Sequence, residues 1–118
     1  MPPEAKVFII EDLETWQELI SINLENAGHQ IVGRARSRKE ASEAIPRFKD
    51  FGVQVVTIDG NLSRGFQGGE DARVLIPEIR RIAPEVAIVG MSTSSVVDSD
   101  LDVGKPSLFM LADEITGI

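Results

Sequence analysis

The stretch Val55-Val56-Thr57-Ile58-Asp59-Gly60-Asn61-Leu62 runs from four residues suited to a buried strand into a carboxylate, and a glycine then breaks it. β-Branched residues in series favour a pleated, buried segment. A charge at the end of such a segment is costly to bury unless it is paired. Two readings follow. Either Asp59 caps a turn, or it stands at the rim of a sheet where it meets a metal or a phosphate.

Working outward, apolar runs alternate with helical patterns along the whole chain. Lys6–Ile10 (KVFII) reads as a first strand. From Glu14 to Ala27, Trp16, Leu19, Ile20, Leu24 and Ala27 form a helical stripe, and Gly28 stops it. Ile31–Ala35 is a second strand. Ser37-Arg38-Lys39-Glu40 has the pattern of a capping box. Ala41, Ala44, Ile45 and Phe48 continue that helix, with Pro46 expected to kink or shorten it. Val53–Asp59 is the third strand, and the loop Gly60–Gly69 holds four glycines. Ala72, Leu75, Ile76, Ile79 and Ile82 mark a further helix carrying Pro77, and Val86–Met91 a fourth strand. This alternation implies an α/β fold with a parallel sheet covered by helices. In such sheets ligands bind outside the carboxyl ends of the strands.

The chain is 118 residues long and is expected to form a single domain (1–118) with no output domain; it is large enough to bury a core without staples. It has no cysteine, which excludes disulfides, thiol nucleophiles and zinc-thiolate sites and fits a reducing compartment. Nineteen acidic residues against 12 basic ones give a net charge of −7, which disfavours nucleic acid and anionic membrane as partners. No run is long enough to span a membrane, and MPPEAKVF lacks a signal-peptide pattern. The single histidine, His29, follows Gly28 and reads as a solvated turn residue.

The strand ends collect chemistry. Glu11 and Asp12 follow strand one, Asp59 ends strand three and Ser92 follows strand four. Lys105, in Val103-Gly104-Lys105-Pro106, follows a weak fifth strand at Ser99–Val103. Singly each has an ordinary account: a solvated helix start for Glu11-Asp12, a loop serine, a loop-to-helix junction for Lys105-Pro106. Together, crowded carboxylates repel. A divalent cation removes the repulsion, and Mg2+ suits one or two carboxylates with retained waters. The glycines of 60–69 are not followed by the lysine-hydroxyl ending of a nucleotide-binding loop.

The acidic pair Glu11-Asp12, Asp59 in TIDGNL, Ser92 in GMST and Lys105 in GKP resemble the receiver domain of two-component response regulators over nearly the whole chain. The resemblance implies a flavodoxin-like, doubly wound five-stranded sheet of order 2-1-3-4-5. It also implies phosphorylation of Asp59 by a histidine kinase or phosphotransfer protein in the cytoplasm, with output through a protein partner. Asp12 and Asp59 would ligate Mg2+, Glu11 acting through water and Asn61 through its backbone carbonyl. The Asn61 side chain, Ser92 and Lys105 would contact the phosphoryl group. No turnover beyond self-phosphorylation and autodephosphorylation is implied.

The chain departs from that pattern in three places. Only 12 residues, Thr93–Gly104, separate Ser92 from Lys105, and the six from Thr93 to Asp98 are too few for the crossover helix of about 11 residues usual before the fifth strand. The expectation is that this fourth helix of the pattern is absent or reduced, with a displaced or antiparallel fifth segment as the alternative. The face it leaves uncovered is a candidate homodimer surface. Asp102 occupies the usual aromatic switch position, and Thr93 stands where a small residue is common. Leu108, Leu111, Ala112 and Ile115 predict a final helix within Ser107–Ile118. Two competing functions follow: a receiver-like protein-binding module that is not phosphorylated, and a phosphoester hydrolase, for which the chain offers no cap or general acid.

Overall fold

The computed structural model describes residues 4–59, 70–92 and 101–104. The elements in order are β1 (Lys6–Ile10), α1 (Glu14–Asn26), β2 (Gln30–Ala35), α2 (Arg38–Ala44), a 3-10 turn (Ile45–Arg47) and α3 (Phe48–Phe51). Then come β3 (Val55–Asp59), α4 (Glu70–Ile82), β4 (Ala87–Ser92) and β5 (Leu101–Gly104). The five strands form one sheet of order β2-β1-β3-β4-β5. Every pairing is parallel, so the expected α/β architecture and strand order are present. The parallel pairing of β5 with β4 rules out the antiparallel alternative for the fifth segment. The expected shortening of the crossover helix between β4 and β5, the glycine loop and the final helix lie outside the described residues.

Local chemistry explains the element boundaries. The Glu40 amide donates to Ser37 Oγ at 3.1 Å, the capping contact expected of that serine. Glu40 Oε1 reaches back to accept from the Arg36 amide, also at 3.1 Å, one residue before the position an ideal capping box uses. Replacing Ser37 with alanine is expected to cost about 0.5–2 kcal/mol, read as a lower urea midpoint. Pro46 ends α2 at Ala44, and the chain continues as the 3-10 turn and then α3. Pro77 lies inside α4, whose described residues still bury Leu75, Ile76 and Ile79. Packing of that apolar stripe offsets the hydrogen bond the proline cannot make. Gly28 closes α1 with a φ of 92°.

Among the described residues, the central strands β1, β3 and β4 bury side chains on both faces of the sheet. On one, Phe8 and Ile10 of β1, Val56 and Ile58 of β3 and Ile88 of β4 pack against Ala41, Ile45, Phe48, Leu75, Ile76 and Ile79. On the other, Val7, Ile9, Val55 and Val89 pack against Ile20 and Leu24 of α1. The period-two alternation along β1 and β3 assigns neighbouring residues to opposite clusters. The Phe8 and Phe48 rings meet at 5.0 Å between centroids, tilted by 47°.

Gly33 lies opposite Phe8, next to a register shift between Val7 and Phe8. A Cβ at Gly33 would stand 2.6 Å from Phe8 Cε2, closer than the ring tolerates. Gly33→Ala must displace a ring already packed on Phe48, and is expected to destabilise by about 1–3 kcal/mol. Chemical denaturation checks it.

Two expectations from the sequence are corrected here. The inward face of α1 is Gln17, Ile20, Ser21 and Leu24. Leu19 is 43% exposed and Trp16 only half-buried. The helix is rotated so that its first turns present polar groups to the strand ends, a phase an apolar count does not see. His29 is buried, not solvated, because the Ala5 amide donates to its Nδ1 at 3.1 Å.

Candidate functional site at the carboxyl edge of the sheet

The site is assembled by strand register. β1 and β3 pair through Ile10 and Ile58, so the next residues are Glu11, just past β1, and Asp59, the last residue of β3. Asp59 pairs with Met91, and Ser92 with Gly104, the residue before Lys105. Adjacent strands lie about 4.8 Å apart. Four consecutive strands, β1, β3, β4 and β5, therefore deliver Glu11, Asp59, Ser92 and Gly104 to one edge. Asp12 follows Glu11 in the bend before α1. Asn61, Thr93 and Lys105 lie outside the described residues, and for Asp59, Ser92 and Asp102 only the backbone is described.

Glu11 is almost completely buried, 1% exposed, while Asp12 is half-buried. The Glu11 Oε2 atom is 3.5 Å from the Leu13 amide, at the long limit of a hydrogen bond. The Glu11 peptide is held firmly: its amide donates to the Ala35 carbonyl at 2.9 Å. Its carbonyl accepts from Gln17 Nε2 at 2.9 Å. The same Nε2 donates to the Ala35 carbonyl at 2.9 Å. Gln17 is itself buried, and its own carbonyl accepts from Ser21 Oγ at 2.7 Å. Sequence reading passed over Gln17. The signal available was a polar residue at the position, one turn before Ser21 and Ile20, that an inward-facing helix surface assigns to the core.

The donor set suits a hard cation. Glu11 and Asp12 supply carboxylate oxygens at the end of β1, and Asp59 stands one strand away, a set that matches Mg2+ rather than a softer metal. Among the described residues no group of three or more metal-binding side chains is gathered; the third carboxylate, Asp59, has only its backbone described. A separate concavity of about 280 Å³ lies beside β2 and α2, with Arg47 stacked over Phe51 at 5.2 Å, and includes none of the predicted site residues. No described helix is long and apolar enough to cross a membrane.

No family model and no curated protein matches the sequence. Solved structures do match. The response regulator PhyR from Brucella abortus superposes with a TM-score of 0.78 at 21% identity, over 98% of this chain and 47% of its own. The non-phosphorylated receiver domain of the stress response regulator RcsB from Escherichia coli gives 0.75 at 19%, over 98% of this chain and 92% of its own. The receiver domain of a modulated diguanylate cyclase from Desulfovibrio desulfuricans G20, described as an example of alternate folding, gives 0.69 at 18%, over 97% and 94%. The chain thus spans about half of PhyR and nearly all of an isolated receiver domain. At these identities the likeness establishes the fold: this is the receiver-domain architecture.

Proposed function

We propose that the chain is a phosphoacceptor module of two-component signalling, with Asp59 as the residue that takes the phosphoryl group. The observation that carries this reading is the register that brings Glu11, Asp59, Ser92 and Gly104 to one sheet edge from four strands. Receiver-fold neighbours support it. An Asp59 carboxylate oxygen attacks the phosphorus of a phosphohistidine on a histidine kinase or phosphotransfer protein. The P–N bond breaks as the O–P bond forms, and the departing imidazole recovers its proton. The product is an acyl-phosphate on Asp59.

Phosphoryl transfer demands positioning and compensation of charge on the equatorial oxygens more than covalent chemistry. Asp12 and Asp59, with Glu11 through water and the Asn61 carbonyl, are the residues that would hold Mg2+. When bound, the metal supplies positive charge to the transferring oxygens. Ser92 donates to a phosphoryl oxygen, the Asn61 side chain contacts the same group, and Lys105 offsets its charge. Output passes to a protein partner, and self-association through the face beside β4 and β5 belongs to the same proposal. Incubation with acetyl phosphate, followed by intact-mass measurement, tests the reading. One phosphoryl adduct that forms with Mg2+ and not with EDTA is expected; no adduct under either condition would remove the proposal.

A second reading, a receiver-like module that binds partners without being phosphorylated, draws on one observation. Asp102 lies within β5, paired with Gly90, where an aromatic switch residue is usual. That departure bears on how a signal leaves the domain. It does not touch the groups proposed to accept the phosphoryl.

A further inference from the structure

We infer that Gln17 is a positioning residue for the metal-binding acidic pair, an inference that rests on the phosphoacceptor reading of the sheet edge. Gln17 is the fourth residue of α1 and is 3% exposed. Its side-chain nitrogen carries two hydrogens, and it meets two carbonyls at 2.9 Å each, those of Glu11 and Ala35. It therefore ties three elements together at one point: the end of β1, the end of β2 and the first turn of α1.

The location of this tie matters more than its strength. The ladder joining β1 to β3 ends at Ile10 and Ile58. Past it, the peptide joining Glu11 to Asp12 carries both acidic side chains, one on either side. The orientation of that peptide sets where the two carboxylates start. The Glu11 carbonyl takes its hydrogen bond from Gln17, so the amide of Gln17 fixes the plane. A buried carbonyl needs a donor. With the amide removed, the Ala35 carbonyl keeps the Glu11 N–H, but the Glu11 carbonyl loses its Gln17 donor. The bridge that ties the Glu11–Asp12 peptide to the end of β2 and the first turn of α1 is then lost, and with it that restraint on the acidic pair. Loss of a group that orients metal ligands typically weakens metal affinity by about 10–100-fold.

Gln17 also has a built-in comparison. Ser21 lies one turn further along α1, is likewise buried, and its hydroxyl donates to the Gln17 carbonyl within the helix. A substitution at Ser21 disturbs the same buried helix face without touching the Glu11 peptide.

The test is Mg2+ binding by isothermal titration calorimetry on the full chain, as wild type, Gln17→Met and Ser21→Ala, with a urea unfolding curve for each. Methionine keeps the length and loses the donor. Expected is an approximately tenfold or greater weakening of Mg2+ affinity in Gln17→Met and a change under about twofold in Ser21→Ala. Equal affinities in wild type and Gln17→Met, or equal losses in both variants, would overturn the positioning role while leaving the phosphoacceptor reading intact. No Mg2+ binding by wild type would remove both. If Gln17→Met does not fold, the unmodified chain decides: the Gln17 side-chain amide resonances are expected to shift on Mg2+ addition. Their standing still while backbone resonances of residues 11 and 12 move would contradict the inference.

Discussion

Asp59→Asn is expected to leave the fold in place and abolish the phosphoryl adduct formed with acetyl phosphate and Mg2+. Asparagine has nearly the shape of aspartate, so the end of β3 and its pairing with Met91 should persist. What it lacks is the anionic oxygen that attacks phosphorus, and no other group can substitute without moving into line with the donor. Magnesium affinity should fall as well, because one carboxylate of the proposed set is lost. Intact-mass measurement gives the adduct, and circular dichroism gives the fold. Equal labelling of wild type and Asp59→Asn would mean that the phosphoryl group goes elsewhere.

The largest expected loss of stability is in Phe48→Ala. Phe48 is 1% exposed and stacks on Phe8, which lies on β1 two residues from Ile10. Ile45 and Ile79, both fully buried, belong to the same core cluster. Removing the ring deletes its transfer free energy and leaves a cavity among groups held by separate elements, which do not close over it. The expected cost is about 3–5 kcal/mol. That is a large share of the roughly 5–15 kcal/mol that stabilises a typical domain. The urea midpoint should drop sharply with the slope unchanged. A loss below about 1 kcal/mol would mean that the cluster is looser than its burial implies.

Much of the fold was legible because its signals are local and repeated. Buried strands of a parallel sheet are continuous apolar runs, and KVFII and VVTID are such runs. Ser37 capped, Pro46 ended and Gly28, with its positive φ, closed a helix where each residue type predicts it. Strand order was a different matter: periodicity does not carry it, and it came with the resemblance resting on the five site residues. At the edge of the sheet, the register puts Asp59 and Ser92 at the last positions of β3 and β4 and Glu11 just past β1, where the polar residues closing the apolar runs pointed.

What escaped was polar packing. Gln17 donates to the Glu11 and Ala35 carbonyls, His29 accepts from the Ala5 amide, and Ser21 donates to the Gln17 carbonyl within α1; all three are buried. Those partners are 18 and 24 residues away for two of the bonds. A hydrophobic stripe scores such residues as surface and assigned the core to Leu19, which is exposed. The phase of α1 goes with the bonds from Gln17 to the Glu11 and Ala35 carbonyls, and Ala35 lies 18 residues from Gln17, beyond the reach of a helical window.

The most direct measurement of the whole account is an NMR titration of the 15N-labelled chain with beryllofluoride in the presence of Mg2+. The phosphoacceptor reading predicts saturable binding. The largest amide shifts should fall at residues 11–13, 59 and 91–92, with those of the Arg34–Phe51 segment small. Saturable shifts centred away from the carboxyl ends of β1, β3 and β4, or no shifts at all, would contradict it.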